Sequence, residues 1–194
     1  MKKLIGLTGR TGSGKSSAAK IFEKLGIFTV DCDRVAHEVL LDGDVKAALV
    51  DAFSDVILDE VGNINRKALG SIVFEDSKKL KTLNSIVHGA ILERCFTLCE
   101  NSGSEICLID GSELESSGAD KKCNVMVVVT ADEGVRLERI MARDNIDRES
   151  ALRRIKSQKD YSKKAFIIEN NAGEKELFEK ISALLEKIKR GDVK

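Results

Sequence analysis

The chain has 194 residues, 42% of them hydrophobic and 33% charged, which is the composition of a soluble globular protein with room for a full core. Lys+Arg and Asp+Glu both number 32, so the formal net charge is zero and a general nucleic-acid binder is disfavoured. No apolar run approaches a membrane span, and Met1-Lys2-Lys3 leads into an apolar run of five residues, too short for a secretion signal.

The first predicted element is a strand, Leu4-Ile5-Gly6-Leu7-Thr8, and Gly9-Arg10-Thr11-Gly12-Ser13-Gly14-Lys15-Ser16 follows it directly. Gly9, Gly14, Lys15 and Ser16 fill the G-x-x-x-x-G-K-[ST] pattern of a phosphate-binding loop (P-loop). Small residues let backbone N–H groups curl round an anion, because no Cβ blocks the approach or the turn. The helix that starts near Gly14 turns its unpaired N–H groups and positive dipole end towards the same anion. Lys15 can reach the β- and γ-phosphates, and the Ser16 hydroxyl can ligate Mg²⁺. Gly9 to Ser17 are therefore candidates for holding ATP. The loop alone leaves open what is done with the nucleotide.

Ser16 to Leu25 carries Ala18, Ala19, Phe22 and Leu25 at helical spacing, and Gly26 ends the helix. Ile27-Phe28-Thr29-Val30 is a short strand ending at Asp31-Cys32-Asp33. Strand, loop, helix and strand make a βαβ unit, which predicts a parallel sheet. Ligands of such sheets bind beyond the carboxyl ends of the strands, where Asp31 and Asp33 fall. Asp33 is equally suited to cap the next helix, Arg34 to Leu41. Two aspartates so close to a phosphate loop favour a functional role. His37 reads as a surface or packing residue.

From residue 42 to about 103 the rhythm changes to helices, predicted over Val45 to Phe53, over Arg66 to Phe74 with Asn65 as cap, and onwards from Asp76. Leu80, Leu83, Val87, Ile91, Cys95 and Cys99 give the last one its apolar face. Asp59 to Asn65 reads as a turn or small hairpin between helices. The block reads as a helical insertion that closes over an acceptor. His88 lies in its long helix, where packing is the simplest role.

Ile106-Cys107-Leu108-Ile109-Asp110 is the next strand, and Asp110 is placed to organise Mg²⁺ or merely to begin a turn. Asn124 to Thr130 is the clearest buried strand, and a helix starts at Asp132. Arg136, Arg139, Arg143 and Arg148 cluster there; Arg139 and Arg143 share a face, as in a phosphate-closing lid or a solvated Glu/Arg face. Ala165 to Glu169 is a last strand, followed by Asn170-Asn171 and a C-terminal amphipathic helix. The five cysteines, at 32, 95, 99, 107 and 123, are odd in number and hold no C-x-x-C pair, which argues against a disulfide framework or zinc site. They suggest a reducing cytoplasm.

These residues together resemble the dephospho-coenzyme A kinase family over nearly the whole chain. The resemblance rests on the loop, on Val30-Asp31-Cys32-Asp33 with Ala36-His37-Glu38-Val39, and on Leu83-Asn84 with His88. It rests also on Met141-Ala142-Arg143-Asp144 and Ile168-Glu169-Asn170-Asn171. It implies transfer of the γ-phosphoryl of ATP to the ribose 3′-hydroxyl of dephospho-coenzyme A. It implies a three-layer α/β/α P-loop kinase with a five-stranded parallel sheet in the order 2-3-1-4-5. One kinase domain is then expected, with a core over 1–41 and 104–194, a helical acceptor subdomain over about 42–103 and a lid over about 143–164. By the same resemblance Asp33 is the candidate base, Lys15 and Arg143 serve the phosphates, and Asn170 and Asn171 pack the adenine. Asp31, His88 and Asp110 join Asp33 on the acceptor side, and Ser16 holds Mg²⁺ with Asp110 behind it. A monomer or weak homo-oligomer in the cytoplasm is expected, without nucleic-acid or membrane partners. The chain departs from the family pattern at Gly89, at Gly111-Ser112-Glu113-Leu114-Glu115, and after Gln158, where Lys159, Tyr161, Lys163 and Lys164 stand in a shortened segment. Another small-molecule kinase of this architecture, or a nucleotide-binding module without catalysis, is the alternative.

Overall fold

The computed structural model describes residues 2–156 and 165–193. Gln158, Lys159, Tyr161, Lys163 and Lys164 of the expected lid lie outside them. In chain order the elements begin with β1 (Lys3–Gly9), α1 (Lys15–Lys24), β2 (Phe28–Asp31) and α2 (Cys32–Val39). The helices α3 (Gly43–Phe53), α4 (Arg66–Val73) and α5 (Ser77–Asn101) follow, then β3 (Ile106–Asp110), α6 (Leu114–Ser117) and β4 (Val125–Thr130). The chain continues with α7 (Glu133–Asp144), α8 (Arg148–Lys156), β5 (Phe166–Glu169) and α9 (Glu174–Arg190).

The strands form one sheet in the order β2-β3-β1-β4-β5, as the resemblance implied. β1 lies at its centre, parallel to β3 and to β4, with Leu7 opposite both Asp110 and Val127. Five successive residues of β1, Ile5 to Gly9, are buried. That is why the strand is a continuous apolar run rather than an alternating one: both of its faces are covered. The central register also carries the end of β1 and the end of β3 to the same edge of the sheet, which is where the loop and Asp110 are needed.

The chain divides into two compact units. The first, residues 1–30 and 102–194, holds the sheet core. Phe22 and Ile21 of α1 and Ile181 and Leu185 of α9 pack with Ile5, Leu7, Val127 and Val129. Burying each such side chain contributes about 1.5–3 kcal/mol. Leu137 and Ile140 of α7 form a smaller cluster with Ala151 and Ile155 of α8. The second unit, residues 31–101, is helical. Its long α5 packs on α2, α3 and α4. Asn65 caps α4 by accepting from the N–H groups of Lys67 and Ala68, and Asp76 accepts from those of Lys78 and Lys79 at the start of α5, as their sequence positions predict. The turn before α4 is closed by a single antiparallel bridge between Leu58 and Ile64. The unit starts at Asp31 rather than near residue 42, so α2 goes with the helical insertion. Among the described residues no helix is long and apolar enough to cross a membrane.

Candidate active site

The loop between β1 and α1 is shaped by two glycines in the left-handed region, Gly12 at φ 80° and Gly14 at φ 95°. Both also lie where a side chain would collide. A Cβ on Gly12 would sit 2.7 Å from the Arg136 carbonyl oxygen, and one on Gly14 would run into the Asn170 amide. Neither position tolerates another residue without displacing α7 or the Asn170 side chain.

Side-chain donors from outside the loop hold its carbonyls. Arg136 Nε donates to the Thr11 carbonyl at 2.9 Å, and Asn170 Nδ2 donates to the Ser13 carbonyl at 2.8 Å. Arg139 Nη1 makes longer contacts, 3.4 Å, with the carbonyls of Gly12 and Ser13. A peptide whose C=O is held on one side presents its N–H on the other. The bonds therefore favour a loop in which carbonyl dipoles are turned from an anion and amides towards it. Arg136 is 4% exposed, so this guanidinium belongs to the framework of the loop. Its sequence signal was faint: Arg136 shares a helical face with Ile140, an unusual place for a charge unless it is paired.

Lys15 Nζ lies 2.5 Å from Asp110 Oδ1, with side chains only 18% and 10% exposed. The strand-end aspartate and the loop lysine are thus brought together. Ser16 is exposed in the first turn of α1. A hydroxyl and a carboxylate suit Mg²⁺, which takes oxygen ligands and keeps several of its positions for phosphates and water. Among the described residues no group of three or more His, Cys, Asp or Glu side chains forms a metal cage.

The two asparagines after β5 hold different elements. Asn170 is buried; its Nδ2 is committed to the loop, and its Oδ1 has no hydrogen-bond partner among the described residues. Asn171 Oδ1 accepts from the backbone N–H of Asp132 at 2.8 Å, which fixes the start of α7. Arg143, at the end of α7, is exposed and grips Asp144 with Nε at 2.7 Å and Nη2 at 3.0 Å. Arg154 of α8 also pairs with Asp144. The Arg143 hydrogen bond and the two guanidinium charges hold the Asp144 carboxyl below the usual carboxylate range, and the same bond raises Arg143. Asp144 is largely shielded and holds both guanidinium groups, so this is a small charge network rather than an isolated surface pair.

In the helical unit, Asp31 is the cap of α2. Its Oδ1 accepts from the N–H groups of Asp33 at 2.8 Å and Arg34 at 3.3 Å. The helix therefore starts at Cys32, two residues earlier than its sequence suggested, and the capping role falls on Asp31. Asp33 sits exposed in the first turn. His88 is half-buried in the middle of α5. In the altered run after Asp110, Leu114 is buried while Ser112 and Glu113 face outwards.

The family model described as dephospho-CoA kinase matches residues 3–176. The dephospho-CoA kinase of Fusobacterium nucleatum is 39% identical over 189 residues, covering 95% of this chain and 98% of that protein. The solved structure titled dephospho-CoA kinase from Campylobacter jejuni covers 100% of both chains at 28% identity, with a TM-score of 0.71. The crystal structure of TT1252 from Thermus thermophilus has a TM-score of 0.81 at 24% identity over 96% of this chain and 98% of that one, a likeness of fold. With the loop, the strand-end aspartate and the 2-3-1-4-5 sheet in place, these matches make the chain a member of the dephospho-CoA kinase family.

Proposed function

We propose that the protein transfers the γ-phosphoryl group of ATP to the ribose 3′-hydroxyl of dephospho-CoA, giving CoA. The observation that carries this reading is the family match, which runs through the loop, the Asp31–Asp33 turn and the Asn170–Asn171 pair alike. Phosphoryl transfer asks little covalent chemistry of a protein; alignment and charge neutralisation supply most of the acceleration. The loop amides and Lys15 would hold the phosphates, and Arg143 would leave Asp144 to meet them. Ser16, with Asp110 behind it, would hold Mg²⁺, which neutralises charge on the phosphate oxygens when bound. Asp33 would take the proton of the acceptor hydroxyl. Asp31 and His88 would serve the acceptor side. We place this activity in the cytoplasm, in a monomer or weak homo-oligomer.

The test is ATP- and Mg²⁺-dependent phosphorylation of dephospho-CoA by the purified protein, with adenosine, AMP and CMP as competing acceptors. CoA should form with strong preference over the other products. Binding of ATP without any phosphorylated acceptor would overturn the reading.

Asn170 offers a second check, because bracing the loop and packing adenine predict different losses. Asn170→Ala leaves the buried Ser13 carbonyl with only the long Arg139 contact, which costs about 1–3 kcal/mol. ATP affinity should fall roughly tenfold while adenosine affinity changes less than about twofold. Equal losses for the two ligands, read by calorimetry, would assign the side chain to the base instead.

A further inference from the structure

We propose that Cys32 and Cys95 form a reversible disulfide that lowers the activity of this enzyme under oxidising conditions. The two sulfurs are 3.8 Å apart in the helical unit. Cys32 is the first residue of α2 and is half-buried; Cys95 lies on α5 and is fully buried. The helices that carry them pack on each other. A disulfide needs about 2.05 Å between sulfurs, so closure asks for a movement of less than about 2 Å. Rotation about χ1 and a small shift of one helix supply that. The pair was invisible in sequence, since 63 residues separate its members.

The chemistry of the two thiols favours the bond. A hydrogen bond from Cys32 lowers the Cys95 thiol against the opposing effects of burial and of the Asp31 and Glu38 charges. Burial pushes Cys123 up to about 12, which leaves it an unreactive thiol, and Cys107 lies against the Ser102 hydroxyl. With a low-molecular-weight disulfide as oxidant, the more accessible Cys32 thiolate attacks one of its sulfurs and expels the first small thiolate. The Cys95 thiolate then attacks the Cys32 sulfur, forms the intramolecular bond and expels the second. Two cysteine thiols are oxidised; the oxidant takes the two electrons, and its two thiolates take up the two cysteine protons.

The consequence follows from position. Cys32 stands between the cap Asp31 and the candidate base Asp33. Drawing Cys32 towards α5 moves the first turn of α2, and a displacement of about 1 Å at a reacting group can cost about 10²-fold in rate. This step rests on the role proposed for Asp33.

The test treats the reduced full-length protein with glutathione disulfide. Thiols are counted, a non-reducing digest is mapped by mass, and kcat is followed before and after dithiothreitol. Two of the five thiols should disappear, a Cys32–Cys95 peptide should appear, and kcat should fall at least about tenfold and recover on reduction. Cys32→Ala should keep its activity in the oxidant, whereas Cys95→Ala, which lacks the resolving thiol, should stop at a glutathione adduct on Cys32. In the protein with all five cysteines, a stable glutathione adduct on Cys32, unlinked peptides, or full kcat with the bond in place would overturn the proposal. Absence of kinase activity in the reduced protein would sink the functional reading alone, because the linked peptide is read by mass.

Discussion

Asp33→Asn should lower kcat by about 10²–10⁴-fold while the ATP dissociation constant stays within about twofold. The substitution keeps size and shape and removes the ability to accept a proton. It is also structurally mild here. The α2 cap is the Asp31 carboxylate, and Asp33 contributes only its backbone N–H to that cap. The Asp33 side chain is exposed, so no buried partner is left unpaired. Asp31→Ala is the informative contrast. Losing that cap costs about 1 kcal/mol and should appear as a lower melting temperature, with any loss of rate accompanied by loss of stability. An Asp33→Asn enzyme with unchanged kcat would remove Asp33 as the base and return attention to the neighbouring carboxylate.

The contrast between these aspartates marks where sequence reading stopped. Local signals were legible. The apolar run of β1, the glycine spacing of the loop and the caps at Asn65 and Asp76 each depend on one short continuous stretch of chain, and each stands where its local pattern put it. Which of Asp31 and Asp33 caps α2 depends on where the helix takes its first turn, and both residue types suit either place. Long-range partners were not legible. Arg136 reaches Thr11 across 125 residues, and a buried arginine looks like any other on a helix already rich in arginine. The Lys15–Asp110 pair was half legible: each residue ends a recognisable motif, yet only the placement of β3 beside β1 brings them together. The strand order came from family resemblance, because periodicity identifies strands without saying which are neighbours.

Lys15→Ala should weaken ATP binding by roughly 10–100-fold and also reduce kcat, since a charge-assisted hydrogen bond to phosphate contributes about 1.5–3 kcal/mol and strengthens as charge develops in transfer. The Asp110 contact sharpens the expectation. Lys15 and Asp110 are both largely shielded from water, so removing the lysine takes a close positive charge away from a carboxylate beside the phosphate site. That carboxylate then repels the triphosphate as well. The protein without nucleotide should accordingly melt at a lower temperature, and Asp110→Asn introduced on top should recover part of both the stability and the ATP affinity. The double-mutant cycle separates the two contributions: a coupling of 0.5–3 kcal/mol is the range for residues in direct contact. Lys15→Arg serves as the charge-retaining control. Its planar fork is larger and differently directed than an ammonium group, and the loop that surrounds it is fixed by Arg136 and Asn170, so binding should be rescued only in part. If Lys15→Ala kept full affinity and full rate, the phosphate assignment of the loop would fail. If affinity fell but the Asp110→Asn background restored nothing, the lysine would act on the phosphates alone, and the ion pair with Asp110 would carry no part of the effect.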